Sequence, residues 1–176
     1  MQKWIALFRG INVGGKNKLP MKELKTQMQI AGFENVKTYI QSGNVIFESK
    51  KTDAVKISQQ LSNLVKNKHG FLPKVIIFSA DKLSKVIENC PFEVAKEQGN
   101  ILHYFFLEQA PKNADVTGLN AIKTACEEWR IIDDVFYLYA PDGFGRSKLA
   151  IKAEKLLGEA ATARNWRSVS KIFELI

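Results

Sequence analysis

The stretch Arg9-Gly10-Ile11-Asn12-Val13-Gly14-Gly15-Lys16-Asn17 carries the residue types of an anion cradle, with glycines that permit close backbone approach beside an arginine and a lysine. As a pattern it comes close to GxxxxGK[ST], the phosphate-binding P-loop. Two residues depart from that motif. Asn17 stands where a hydroxyl would hold Mg²⁺, and Pro20 delays the next helix, so Lys16 is not at a helix start where N–H groups meet phosphate. The following pair of adjacent strands also lacks the parallel crossover of a P-loop fold. Two readings remain. One is a long turn whose glycines serve geometry. The other is an anion nest with Arg9, Asn12 and Lys16 as donors and Gly14 and Gly15 as points of backbone approach.

Two further stretches share this chemistry. In Pro141-Asp142-Gly143-Phe144-Gly145-Arg146-Ser147-Lys148 a glycine-bearing loop leads into a helix, the order used to place an anion at a positive helix end. Arg146 offers a bidentate contact there and Lys148 a point charge, with Gly143 and Gly145 allowing close approach. Equally, Pro-Asp-Gly is an ordinary turn and Ser147 an ordinary cap. Thr162-Ala163-Arg164-Asn165-Trp166-Arg167-Ser168 reads as another polar loop feeding a helix, with Arg164 and Asn165 as donors and Trp166 either stacking on a base or anchoring the core. Gln41, Ser42 and Asn44 line the same cleft from a hairpin turn. These stretches are rich in donors and poor in carboxylates, which suits anion binding more than proton transfer.

Other chemistries find less. The strand Ser42–Glu48 lacks the aromatic run with which RNA-recognition modules stack bases. His69 and His103 are the only histidines, too few for a metal quartet, and His103 in its apolar strand reads as a satisfied core residue. Cys90 and Cys126 have no basic helper nearby in the chain, and no GxSxG elbow is present. Asp133 and Asp134 with Asp142 suggest either metal-binding carboxylates or a plain turn. Neither metal nor cofactor is expected.

These residues sit in a chain of 176 residues with 45% hydrophobic content, enough for one large domain or two small ones. Its 26 Lys and Arg against 18 Asp and Glu give a formal charge of +8, which attracts nucleic acid, phosphorylated metabolites or an anionic surface. The charge is spread along the chain without a block of basic residues. Two cysteines and no CxxC imply a reducing, cytoplasmic setting. The first residues fail as a signal peptide, their apolar run being short and broken by Arg9. No run approaches the ~20 apolar residues of a membrane span, so no membrane partner is expected.

Periodicity predicts a strand over Lys3–Arg9, a helix from Pro20 to Gly32, strands at Val36–Gln41 and Val45–Glu48, a helix capped by Asp53, and a strand at Lys74–Ser79. That order, βαββαβ, is a ferredoxin-like sandwich. Next come a short helix capped by Asp81, a strand over Ile101–Glu108, a helix within Ala114–Cys126, and strands at Trp129–Ile132 and Phe136–Tyr139. Ser147 opens a helix that Gly158 ends, and Ser168 opens the last one. The expectation is an α+β fold of two ferredoxin-like subdomains with antiparallel sheets. A βαββαβ unit spans 1–80, a linker with a short helix 81–100, and a βαββα unit with an extra C-terminal helix 101–176. The join falls around 91–100. The first strand of each unit is apolar on both faces, so the sheet faces without helices must be covered, by the other subdomain or by a partner chain.

RGINVGGKNK, YIQSGNVIF, GFGRSKL and TARNWRSV, in that order, resemble the hallmark stretches of an uncharacterised bacterial domain-of-unknown-function family. The resemblance spans essentially the whole chain. It implies two ferredoxin-like α+β subdomains and brings no substrate, reaction or catalytic residue. Three functional classes stay open. The leading one binds an anionic ligand, a nucleotide, phosphorylated metabolite or nucleic acid. The second is an enzyme acting on a phosphorylated or carboxylated small molecule. The third is an interaction module that dimerises through the sheet faces.

Overall fold

The computed structural model describes residues 1–93 and 100–176. Part of the expected join at 91–100 therefore lies outside the described residues. The elements run β1 (Gln2–Phe8), α1 (Met21–Ile30), β2 (Glu34–Tyr39), β3 (Asn44–Ser49), α2 (Ala54–His69), β4 (Val75–Ser79) and α3 (Ala80–Glu88). They continue as β5 (Leu102–Leu107), α4 (Val116–Ile122), β6 (Glu128–Ile132), β7 (Val135–Tyr139), α5 (Lys148–Leu157), β8 (Ala161–Asn165) and α6 (Trp166–Glu174). Two antiparallel four-stranded sheets result, ordered β2-β3-β1-β4 and β6-β7-β5-β8. The fold is α+β, and each sheet has the ferredoxin-like order.

The chain divides into two compact units, Met1–Lys85 with Lys171–Ile176, and Val86–Ser170. In the first, Trp4, Ala6 and Phe8 of β1 and Val45 and Phe47 of β3 pack under Leu24 and Met28 of α1 and Ile57, Leu61 and Val65 of α2. The four-residue spacing of those helix positions turns one apolar stripe toward the sheet. Asp53 accepts the N–H groups of Val55 and Lys56 to start α2, and Gly70 at φ +77 ends it. In the second unit Phe105 and Leu107 of β5 and Phe136 and Leu138 of β7 meet Leu119 of α4 and Leu149, Ala153 and Leu157 of α5. The opposite strand faces are also buried: Ile5, Leu7 and Ile46 in one sheet, Tyr104, Phe106 and Tyr137 in the other. Within the second unit, Tyr137 donates its hydroxyl to the Val86 carbonyl at 2.9 Å.

Three local expectations are corrected. The TARN stretch is a strand, not a loop: Ala161–Asn165 pairs with β5, so the second unit is βαββαβ like the first. Its apolar side consists only of the small residues Ala161 and Ala163, too faint a pattern to announce a strand before β5 pairs with it. Helix α6 accordingly starts at Trp166, capped by Asn165, whose Oδ1 accepts the Ser168 N–H at 3.0 Å. Likewise Ser79, not Asp81, caps α3, its Oγ accepting the Lys82 N–H at 3.2 Å. In both units the last residue of the closing strand starts the next helix. Helix α4 lies within the expected span, capped by Asp115 through the Gly118 N–H at 2.8 Å.

The turn between β2 and β3 lies against β1. The Phe8 N–H donates to the Gly43 carbonyl at 2.9 Å. Gly43 has φ +78, and a Cβ there would lie 2.7 Å from both Phe8 Cβ and Ile11 Cδ1. A Gly43→Ala variant combines backbone strain with overpacking, so its urea midpoint is expected to fall at unchanged m, a loss of roughly 2–4 kcal/mol. A loss under ~0.5 kcal/mol would show that this approach is not tight.

Candidate functional site

In the first unit the glycine-rich stretch is a small hairpin. Gly14 and Gly15 have φ of +57 and +74, and Lys16 N–H donates to the Val13 carbonyl at 3.0 Å. Positive φ at both central positions is the type I′ turn, which accounts for the two glycines without a ligand. Asn12 N–H donates to the Asn17 carbonyl at 3.1 Å. The Asn12 amide is occupied as well: Nδ2 donates to the carbonyls of Leu19 (2.9 Å) and Gln41 (2.8 Å), and Oδ1 accepts the Leu19 N–H at 2.8 Å. Asn44 is buried, its Nδ2 donating to the Tyr39 carbonyl (3.1 Å) and to Ser42 Oγ (3.0 Å). Asn12, Ser42 and Asn44 thus hold two loops together. Lys16 and Gln41 are exposed, and Arg9 is half-buried with its N–H on the Lys74 carbonyl at 2.9 Å.

In the second unit Gly143, at φ +100, opens a 3₁₀ turn over Phe144–Arg146, and Ser147 Oγ caps α5 through the Ala150 N–H at 3.1 Å. Gly145 has open space around it, and Arg146 and Lys148 are exposed. Phe144 packs 4.3 Å from the His103 ring and 5.9 Å from Phe105. His103 is the cross-strand partner of Asn165, so these two predicted stretches do meet. Strand alternation nevertheless turns Arg164 away from the Phe144 ring. Phe144 and His103 lie on the helix-covered face, whereas Arg164, paired with Tyr104, lies on the other. Arg164 donates to the Ala163 carbonyl at 2.8 Å, and burial pushes its pKa down to about 10. Trp166 stacks on Tyr104, with centroids 6.1 Å apart.

His103 is buried as expected, but it is not satisfied: its Nδ1 has no hydrogen-bond partner among the described residues. Burial pushes its pKa down to about 4, against a smaller opposing contribution from the Ile101 backbone. Asp133, at φ +52, and Asp134 form the two-residue turn between β6 and β7, and Asp142 accepts from the Cys126 thiol at 2.9 Å. Among the described residues no group of three or more His, Cys, Asp or Glu side chains is placed to hold a metal ion.

A cleft that the motifs did not announce lies in the first unit. It encloses about 530 Å³ and is lined by Lys3, Lys25, Lys37, Asn35, Glu48 and the main chain of Leu175 and Ile176, among others. Its cause is local. The β2–β3 register shifts between Glu34 and Lys37, and Asn35 has φ +49, so a bulge interrupts the ladder. Lys37 Nζ donates to the Leu175 carbonyl at 2.7 Å, and Lys3 Nζ to the Ile176 main-chain oxygen. Asn35 Nδ2 donates to Glu48 Oε2 at 2.9 Å. Three ammonium groups thus share the cleft with one carboxylate side chain. None of the three lysines belongs to a distinctive stretch, and the bulge falls just before the strand that the sequence predicts from Val36.

A family model described as a protein of unknown function, DUF1697, matches residues 1–137. The chain belongs to that family. No curated protein matches it. Among solved structures it is similar to a conserved bacterial protein, SP0830 from Streptococcus pneumoniae, with a TM-score of 0.69 and 24% identity over 99% of this chain and 98% of that one. The likeness shows a shared fold. Within this DUF1697 chain the matched span takes in the hairpin loop, the β2–β3 turn, His103 and all the cleft lysines.

The His103 ring supplies a pH test. Its folded pKa lies below the ordinary 6.5, so the unfolded chain binds more protons between those values. Its contribution is intact above the ordinary value and is lost as pH falls toward about 4. Between about pH 7 and about pH 5 the wild type should lose roughly 2 kcal/mol more unfolding free energy than His103→Phe, measured by urea titration. Equal losses in both proteins would show that the ring does not carry this dependence.

Proposed function

We propose that this chain binds a small anionic ligand, a phosphate- or carboxylate-bearing metabolite of about nucleotide size, in the cleft of its first unit. The observation that carries the reading is the imbalance of charge there: Lys25 and Lys37, with Lys3 engaged by the Ile176 main-chain oxygen, against Glu48 as the one carboxylate side chain. Lys37 donates to a peptide carbonyl. A neutral acceptor holds the ammonium in place without cancelling its charge, and leaves further N–H donors for an anion. The Glu48 carboxylate is engaged by the Asn35 amide at 2.9 Å. A volume near 530 Å³ is within the ordinary range of small-molecule pockets. A cytoplasmic setting goes with this reading, since Cys90 and Cys126 are both free thiols.

Isothermal titration and thermal shift with inorganic pyrophosphate and with ATP test the proposal. At ligand about a hundredfold above its dissociation constant, stability should rise by ~2.7 kcal/mol. Lys25→Ala and Lys37→Ala should each weaken binding about tenfold, and Arg146→Ala should leave it unchanged. Binding lost in Arg146→Ala and kept in both lysine variants would move the site to the second unit. No binding of either probe by the wild type would overturn the proposal.

A further inference from the structure

The charge that looks evenly spread along the sequence is concentrated in space. Segments 9–22, 39–44 and 66–74 contain six lysines and Arg9 and no carboxylate, a formal +7 of the chain's +8. All three lie at one end of the first sheet, where β1 and β2 leave and β3 and β4 enter. They are tied there by the Asn12–Gln41 bond (2.8 Å), by Phe8 N–H on the Gly43 carbonyl and by Arg9 N–H on the Lys74 carbonyl (both 2.9 Å). The six lysines are all exposed. The next acid along, Glu23, stands 3.8 Å from His69.

The same end presents aliphatic side chains to solvent. Val13 at the tip of the type I′ hairpin is 68% exposed, Ile40 in the neighbouring turn 50%, and Leu72 before β4 60%. Ile40 also has φ +49, a conformation that a β-branched residue adopts only under strain. The strain holds an apolar side chain outward at the end of the sheet that carries the lysines.

We infer that this end of the first unit docks on the surface of an anionic phospholipid bilayer. Lysines give diffuse attraction to many phosphates, as a fluid headgroup layer requires, whereas fixed bidentate recognition favours arginine. Val13, Ile40 and Leu72 would enter the boundary between headgroups and acyl chains. They have no aromatic face for stacking on bases, and the aromatic residues of these segments, Tyr39 and Phe71, are half-buried, which argues against single-stranded nucleic acid. The contact is with a surface: no helix among the described residues is long and apolar enough to cross a membrane. It is separate from the cleft, whose Lys3 and Glu48 pair at the opposite end of the β1–β3 ladder.

Co-sedimentation of the full chain with vesicles tests the inference. Vesicles containing phosphatidylglycerol should bind it and vesicles of phosphatidylcholine alone should not. Reversing Lys16 and Lys18 to Glu should lower binding at least about tenfold. Ile40→Asn, which suits positive φ and so should keep or raise the Tm, should lower it severalfold, as should Val13→Ser. Lys37→Ala, a cleft variant, should bind vesicles as the wild type does. Equal binding to both vesicle types, or none to either, would overturn the inference. So would vesicle binding unchanged by Ile40→Asn and Val13→Ser and displaced by a duplex oligonucleotide at the same ionic strength, which would assign the basic end to nucleic acid.

Discussion

Each sheet is organised around a central strand that is apolar on both faces, and this constraint governs the rest of the molecule. Ile5 and Leu7 are as fully buried as Ala6 and Phe8 on the opposite side of β1, and Tyr104 and Phe106 in β5 repeat the arrangement. Burying one such side chain contributes about 1.5–3 kcal/mol, so neither face can be left to water. Two helices cover one face of each sheet. The central position of these strands also fixes where polar loops can go. A strand buried along its length carries its chemistry only at its ends, and both regions with an imbalance of charge in the first unit are found there.

The polar residues at those ends divide into two kinds. Asn12, Asn44, Ser79, Ser147 and Asn165 spend their donors and acceptors on the backbone, closing turns or starting helices. Such bonds stand in for ladder and helix partners that loop backbone lacks. The lysines behave differently. Lys37 of the cleft meets a peptide carbonyl, and the six lysines of the basic end are all exposed. Amides that looked like donors for a ligand thus hold the scaffold, while the exposed lysines mark the surfaces where charge gathers.

Several features were legible because the physics behind them is local. Asp53 and Ser147 cap helices where a short acceptor precedes an apolar periodic run, and Gly158 ends a helix at positive φ. The βαββαβ order of the first unit follows from period and turn residues alone. The closing strand of the second unit was not legible, because Ala161 and Ala163 are too small to mark a face and Arg164 and Asn165 read as polar loop. Only pairing with β5 makes those five residues a strand. That strand in turn decides, through alternation, that Arg164 faces away from the Phe144 ring.

By itself the sequence determined the fold class, the order of most elements, the apolar faces and the total charge, because each depends on residue type and near-neighbour spacing. Tertiary structure decided where the charge gathers, which amides are already bonded, and where the β2 bulge opens a cleft. Those depend on segments tens of residues apart being brought within a few ångströms: Asn12 onto Gln41, Arg9 onto Lys74, Lys37 onto Leu175. Coulomb interactions and hydrogen bonds act over distance in space, and a list of neighbours along a chain does not contain those distances.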